Sequence, residues 1–320
     1  MLLCSEKVSR TELGAVLKRP IFFYKEYLTQ RFGAPVYKVS VDAGMTCPNR
    51  DGSQGVGGCT YCSNPSFSKN SAYDVEIESQ IKQALLRYPV GTKLIAYLQS
   101  YTNTYAPVPH LRKLYSKVLQ FPGMVGLSIG TRPDCLSEDV LLLLNEYTDR
   151  FEVMLEIGLE SFSDDTLKRV NRGHSVADFY AAVERVKKFA PKVKVATHLM
   201  IGFPWENEAF WIESARLAAQ LPINMLKLHN LIVVSKTVMG EEYKRKAFPL
   251  LSKTDYMRIA AEFLTHLSPR ISIGRAFAYT TEEHLIAPDW VTDARSFHGE
   301  LEHYMQKNQL YQGKLCILPA

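Results

Sequence analysis

Six short apolar, β-rich runs, at 36–41, 93–98, 125–129, 152–157, 193–200 and 225–233, alternate with stretches of helical period at 76–88, 111–119, 138–147, 164–170, 176–189 and 207–220. In the helical stretches apolar residues recur three and four apart, as in Ile77, Ile81 and Leu85, or Val176, Phe179 and Val183. Strands separated by helices of this length imply a parallel sheet with right-handed crossovers. The expected fold class is therefore α/β, a partial or full barrel of six βα units. Residues 1–35 are expected to form a helical lead-in, with Leu13, Val16, Leu17, Phe22, Phe23, Tyr27 and Leu28 as its apolar positions and Pro35 ending it. The barrel core is assigned to 36–235. An α/β extension at 236–320, with one strand and a helix or two beyond 271, is expected to close it.

A chain of 320 residues that is 46% hydrophobic can bury a large core, and 22% charged residues argue against general disorder. No run is long and apolar enough to span a membrane. The first ten residues lack the apolar stretch of a secretory signal, so the cytoplasm is the expected compartment. The net charge of +5 permits an anionic partner without requiring one. Lys236, Lys244, Arg245, Lys246, Lys253 and Arg258 form a loose basic stretch, readable as a solvated helix face or as a phosphate-contacting surface.

In barrels of this kind the βα loops converge at the C-terminal ends of the strands, and the chemistry sits there. The polar segments of this chain fall at that edge. Cys47, Cys59 and Cys62 follow the first strand, Gln99–Thr104 the second, Thr131–Asp134 the third, Gly158–Ser161 the fourth and Gly202–Pro204 the fifth. Of six cysteines, Cys4, Cys135 and Cys316 are scattered, while the three on the first loop lie within 16 residues. Eleven residues separate Cys47 from Cys59, and two separate Cys59 from Cys62. Three thiolates on a loop with Gly52, Gly55, Gly57 and Gly58 can hold three corners of a [4Fe–4S] cube. A closed zinc site wants four ligands, and the first histidine of the chain is His110. A three-ligand zinc site, or a redox pair on Cys59 and Cys62, stays open on the loop alone.

Four further motifs follow the cysteines in series. They are Ser128-Ile-Gly-Thr-Arg-Pro-Asp134, Glu156-Ile-Gly-Leu-Glu-Ser-Phe162, Asn171-Arg-Gly-His174 and His198-Leu-Met-Ile-Gly-Phe-Pro204. With them, the span from about 36 to 233 resembles the radical SAM superfamily, in the branch containing the Elongator catalytic subunit and oxygen-independent coproporphyrinogen oxidase. The long first cysteine gap and Tyr101-Thr-Asn-Thr-Tyr105 resemble the YtqA/YhcC type. The resemblance implies a partial (β/α)6 TIM-like barrel, with a [4Fe–4S] cluster on Cys47, Cys59 and Cys62. S-adenosylmethionine (SAM) would be bound at the fourth iron, and a donor such as flavodoxin or ferredoxin would supply one electron. By position, Tyr61 would flank the adenine, and Gln99 and Ser100 would meet the SAM amino group. Glu160 and Arg172 would hold the methionine end, His198 would touch the ribose, and Gly202 would let backbone approach the adenine. Two departures stand out: the eleven-residue gap where most relatives have three, and Gly130 where relatives often carry a glutamate, for which Glu156 could compensate.

Asn103, Tyr105, Lys227 and His229 are the substrate-side candidates, with an ordinary polar barrel lining as the alternative. The nearest families point to tRNA, with conversion of a carboxymethylaminomethyl to an aminomethyl group at C5 of the wobble uridine. Tyr101, Tyr105, Phe203 and Trp205 are candidates for base stacking. Segment 236–320 is too short for an Elongator-type acetyltransferase domain. A radical SAM enzyme acting on a small molecule such as a porphyrin, and a non-catalytic iron–sulfur RNA-binding scaffold, are the competing readings.

Overall fold

The computed structural model describes residues 19–67, 76–292 and 294–317. The lead-in's residues 1–18, with the expected apolar positions Leu13, Val16 and Leu17 and with Cys4, therefore lie outside the described residues. Its second half is the helix Tyr24–Phe32, stopped at Gly33, whose left-handed backbone (φ 68°) lets its N–H reach the Thr29 carbonyl.

Strands β1 (Val36–Val41), β2 (Lys93–Leu98), β3 (Met124–Thr131), β4 (Glu152–Glu160), β5 (Lys194–Ile201), β6 (Met225–Asn230), β7 (Val233–Val234), β8 (Ser272–Arg275) and β9 (Leu285–Ala287) follow in chain order. Seven of them form one curled parallel sheet in the order β1-β2-β3-β4-β5-β6-β8, the half-barrel expected from the alternation. Six βα units supply six strands, and the 236–320 segment supplies the seventh beside β6. The two outermost strands, β1 and β8, are not paired with each other, so the extension widens the barrel rather than closing it. The outer edge of β8 instead meets the lead-in, where the Ile273 N–H donates to the Phe22 carbonyl at 2.7 Å. The expected strand at 225–233 is a second correction. It ends at Asn230, whose side chain accepts the Ala278 N–H at 2.9 Å, and Val233–Val234 pairs antiparallel with β9 in a small separate sheet.

Alternate residues of a strand face opposite ways, and here the two faces differ in kind. The outward face is aliphatic: Val39, Val41, Leu127, Ile129, Leu155, Ile157, Leu199 and Leu228 pack under the helices in one continuous core. The inward face is layered. At the floor, Ile95, Met154, Ala196 and Met225 meet Tyr24 and Leu28 of the lead-in helix, which plugs the barrel from below. Above them lies a charged layer around Glu156. Above that, Gly130, Gly158, Met200 and His229 line a cavity of about 240 Å³ that also takes in the loops at the strand ends.

Candidate active site

The eleven-residue gap folds into a compact turn. The Arg50 and Asp51 N–H groups both donate to the Cys47 carbonyl, at 2.8 and 3.1 Å, and the Gly58 N–H donates to the Asn49 carbonyl at 2.8 Å. Asn49 is 1% exposed and fastens the loop to the segment after β4, its amide donating to the Asn171 carbonyl and reaching Cys59 Sγ at 3.8 Å. The Asn171 amide returns the contact to the Gly58 carbonyl at 2.9 Å. Cys47, Cys59 and Cys62 are thereby all brought to the cavity wall. Asn49 escaped the sequence reading, because a polar residue beside a cysteine carries no signal of its own there.

Burial pushes the Cys62 thiol up to about 11, with neighbouring Cys59 adding to the rise and Arg50 opposing it. Cysteine ligates metal as thiolate, so loading iron here must displace protons. Among the described residues no three His, Cys, Asp or Glu side chains converge tightly enough to hold one metal ion. Zinc needs each sulfur at about 2.3 Å from a single centre, whereas an iron–sulfur cube takes its thiolates at separate corners. Three cysteines on one loop are the thiolate donors such a cube takes, with one corner left without a protein ligand.

Arg172 stands beside this triad. It is 7% exposed, with Nη1 3.6 Å from Cys59 Sγ, Nη2 donating to the Gly158 carbonyl at 2.7 Å and lying 3.6 Å from Glu160 Oε1. Its Nε is buried with no partner. Glu160 occupies the left-handed region (φ 75°) at a bulge where β4 shifts register against β5, which turns its carboxylate into the cavity. Such a backbone is strained for a residue other than glycine, and strain of this kind clusters at functional sites. A Cβ on Gly158 would lie 2.5 Å from both Arg172 Nη2 and Glu160 Oε1, so the pair fits only over a glycine. Tyr101, also on the wall, is likewise left-handed (φ 62°).

The layer below is tied to Glu156, 1% exposed on β4. One of its oxygens accepts from Lys38 at 2.8 Å and Ser128 at 2.6 Å. The other is ion-paired with Lys227 and 3.2 Å from His198 Nε2. Lys227 also donates to the Tyr97 hydroxyl at 2.9 Å. Burial alone would raise the Glu156 carboxyl, but Lys227, Lys38 and His198 together hold it well below the usual carboxylate range. Both oxygens are thus engaged, and Glu156 has none free to replace the glutamate that Gly130 lacks.

Ten of the fourteen residues singled out from sequence line the cavity: the three cysteines, Tyr61, Gln99, Glu160, Arg172, His198, Lys227 and His229. The other four do not. The Asn103 side chain is wholly buried and donates to the carbonyls of Leu98, Ser100 and Gly130, so it fastens strand ends instead of facing a substrate. The Tyr105 hydroxyl donates to Ser53 on the cysteine loop at 2.8 Å. Ser100 is buried outside the wall, and Gly202 lies against Leu231 and Leu251. Phe203, a stacking candidate, is fully buried and stacked on Trp205, whose indole N–H donates to Thr166 at 2.9 Å. In the basic stretch Lys244, Lys253 and Arg258 pair with Glu241, Glu300 and Glu208, as a solvated helix face would. Cys135 is close enough to Cys47 to be influenced by its charge but does not line the cavity.

The cysteine-led segment, residues 47–218, matches the model of the radical SAM superfamily, and residues 223–307 match the radical SAM C-terminal domain. The chain belongs to the radical SAM superfamily. It is 33% identical over 282 residues to the protein YhcC of Escherichia coli (strain K12), spanning 88% of this chain and 91% of that one. It is 28% identical over 167 residues to the tRNA-2-methylthio-N(6)-dimethylallyladenosine synthase of Clostridium tetani (strain Massachusetts / E88), or 51% of this chain and 37% of the synthase. In fold it is similar to Elp3 of Methanocaldococcus infernus, with a TM-score of 0.60 at 19% identity over 87% of this chain and 64% of that one. This radical SAM protein is an enzyme whose cofactors are a [4Fe–4S] cluster and SAM.

Three inward-facing histidines, His174 buried and His198 and His229 half-buried on the cavity wall, give the cofactor-free protein an acid-sensitive stability. Burial, then the charge of Arg172, lowers His174 to about 3; its Nε2 lies 3.1 Å from the Gly158 carbonyl. Burial also lowers His198 and His229. The folded state keeps these rings neutral while the unfolded chain takes up protons near pH 6.5. Their stabilisation is complete above that value and is lost as pH falls toward the folded values, at up to about 1.4 kcal/mol per pH unit for each ring. The melting temperature should fall steadily from pH 7 to 5, and His174→Gln should flatten the slope. A constant melting temperature over that window would contradict the neutral, buried assignment.

Proposed function

We propose that this radical SAM enzyme holds its cluster on Cys47, Cys59 and Cys62 and uses it to modify the C5 side chain of the tRNA wobble uridine, converting carboxymethylaminomethyl to aminomethyl. Cys47, Cys59 and Cys62 would hold the cluster, and Arg172 and Glu160 the methionine end of SAM; with one electron from a donor such as flavodoxin or ferredoxin, the two cofactors would supply hydrogen-atom abstraction from the substrate. The observation that carries the reading is Arg172: a buried guanidinium beside Cys59, with an unpartnered Nε, paired with a carboxylate on a strained backbone. Its fork can grip the methionine carboxylate of SAM, and Glu160 can accept from the amino group. Tyr61 lines the same wall, where its backbone can flank the adenine. His198, held by Glu156, presents a neutral imidazole to the ribose. The glycines of the upper layer leave room for cofactor.

The tRNA assignment draws on the motif resemblance to the Elongator branch and on the partial similarity to a tRNA-modifying synthase. A wobble base would have to leave its stack to enter. Mass spectrometry of tRNA nucleosides from a strain lacking the gene is the test. The expected result is accumulation of 5-carboxymethylaminomethyl nucleosides at the expense of aminomethyl products. An unchanged wobble-uridine profile would rule out the tRNA reading and favour a small-molecule substrate.

A further inference from the structure

Part of the cavity carries more positive charge than the chain neutralises. Lys38 and Lys227 share one carboxylate, Glu156, whose two oxygens are taken by Lys38, Ser128, Lys227 and His198. Arg275, on β8, lines the cavity and has no ion-pair partner among the described residues. Its guanidinium carbon lies 5.7 Å from the ring centroid of Tyr279, a wall residue that is 49% exposed.

Asn230 lies on the same wall, 2% exposed. Its Oδ1 accepts the Ala278 N–H, which fixes the orientation of the amide. Its Nδ2 is consequently a donor, and it is buried without a partner. An unsatisfied buried donor is costly, so such a group in a ligand-sized cavity awaits an acceptor. Arg275 offers the planar fork that matches a carboxylate.

We propose that Arg275 and Asn230 form a subsite for a carboxylate carried by the substrate, with Tyr279 packing against the adjoining ring. The inference rests on the reading of this cavity as the substrate site, and it names the part of the substrate that is recognised. It separates two anions in one chamber: Arg172, beside the cysteines, serves the cofactor, and Arg275 serves the substrate. Neither Arg275 nor Asn230 belongs to a motif in the sequence.

The test is equilibrium dialysis of the cluster-loaded protein, saturated with SAM, against the nucleoside 5-carboxymethylaminomethyluridine and against its methyl amide. The acid should bind roughly 10- to 150-fold more tightly, the usual range for a hydrogen bond to a charged group. Arg275→Met should bring the two to parity, and Arg275→Lys should restore part of the preference. Equal binding of acid and amide by the unaltered protein overturns the subsite, as does failure of the acid to bind, and the unaltered protein answers even if a variant misfolds. Competition by inorganic phosphate as strong as by the acid also overturns it, in favour of a phosphate site. Acid selectivity with an unchanged tRNA profile would sink the wobble-uridine reading and leave the subsite standing.

Discussion

Cys62→Ala should strip the protein of its cluster, with iron content and 5′-deoxyadenosine formation each falling by more than about 100-fold, since even outer-shell changes around a metal cost roughly 10- to 100-fold. Two thiolates cannot hold a cube that leaves one iron open for SAM. The fold should survive, because Cys62 lies on a loop outside the sheet and belongs to none of the apolar cores. Iron analysis and chromatography of anaerobically reconstituted protein read the two losses, and circular dichroism reads the fold. Retained 5′-deoxyadenosine production would show that the ligands are misassigned. Cys135→Ala is the control. That thiol does not line the cavity to which Cys47, Cys59 and Cys62 are brought, so it is not placed to join them. Iron content should not change; a drop would mean that Cys135 takes part in holding the cluster.

The second large effect is expected from Glu156→Gln. The replacement keeps the shape and removes the charge that Lys38 and Lys227 share. Breaking a buried pair by deleting one partner typically costs about 3–5 kcal/mol, because the other charge is left uncompensated. At roughly 2–4 °C per kcal/mol for a domain of somewhat smaller size, the melting temperature should drop by on the order of 10 °C. The loss should depend on pH. Burial already pulls the Lys227 ammonium down, to about 7, against the attraction of Glu156. Without Glu156 it sheds its proton still more readily, so the penalty shrinks at pH 9 and grows at pH 6. In the unaltered protein the Glu156 carboxyl is held low. Its stabilisation is present above the unfolded carboxylate value and disappears as pH falls through the folded one. Adding Lys227→Met should recover part of the loss by removing one stranded cation. Calorimetry at pH 6 showing no change for Glu156→Gln would refute the shared-charge account.

Much of this architecture could be read from period and composition. Strands β1 and β2 fall where apolar runs are compact and uninterrupted, and their limits match the expected ones at both ends. Strands β3 and β4 run two and three residues further than expected, through Gly130-Thr131 and Gly158-Leu159-Glu160. Glycine and charge look like loop in a sequence; here they continue a strand because they line a cavity where bulk would not fit. The same ambiguity misplaced Asn103 and Tyr105. A polar side chain at a strand end can face ligand or turn back to tie up backbone, and period cannot distinguish the two. Arg275 was missed for the opposite reason. It ends a four-residue strand in the least regular third of the chain, and only its sheet neighbours reveal that it points inward.

The unpaired margins of the seven-strand sheet have a bearing on what this enzyme can admit. A complete ring would accept a polymer only by its tip or by a single extruded unit. An open arc makes no such topological demand at its mouth, and because the lead-in stoppers the base with Tyr24 and Leu28 and lies along the edge of β8 through Phe22, entry past the described residues is from above. A long chain could lie across that mouth with both ends free, dipping one residue inward while the remainder stays in solvent.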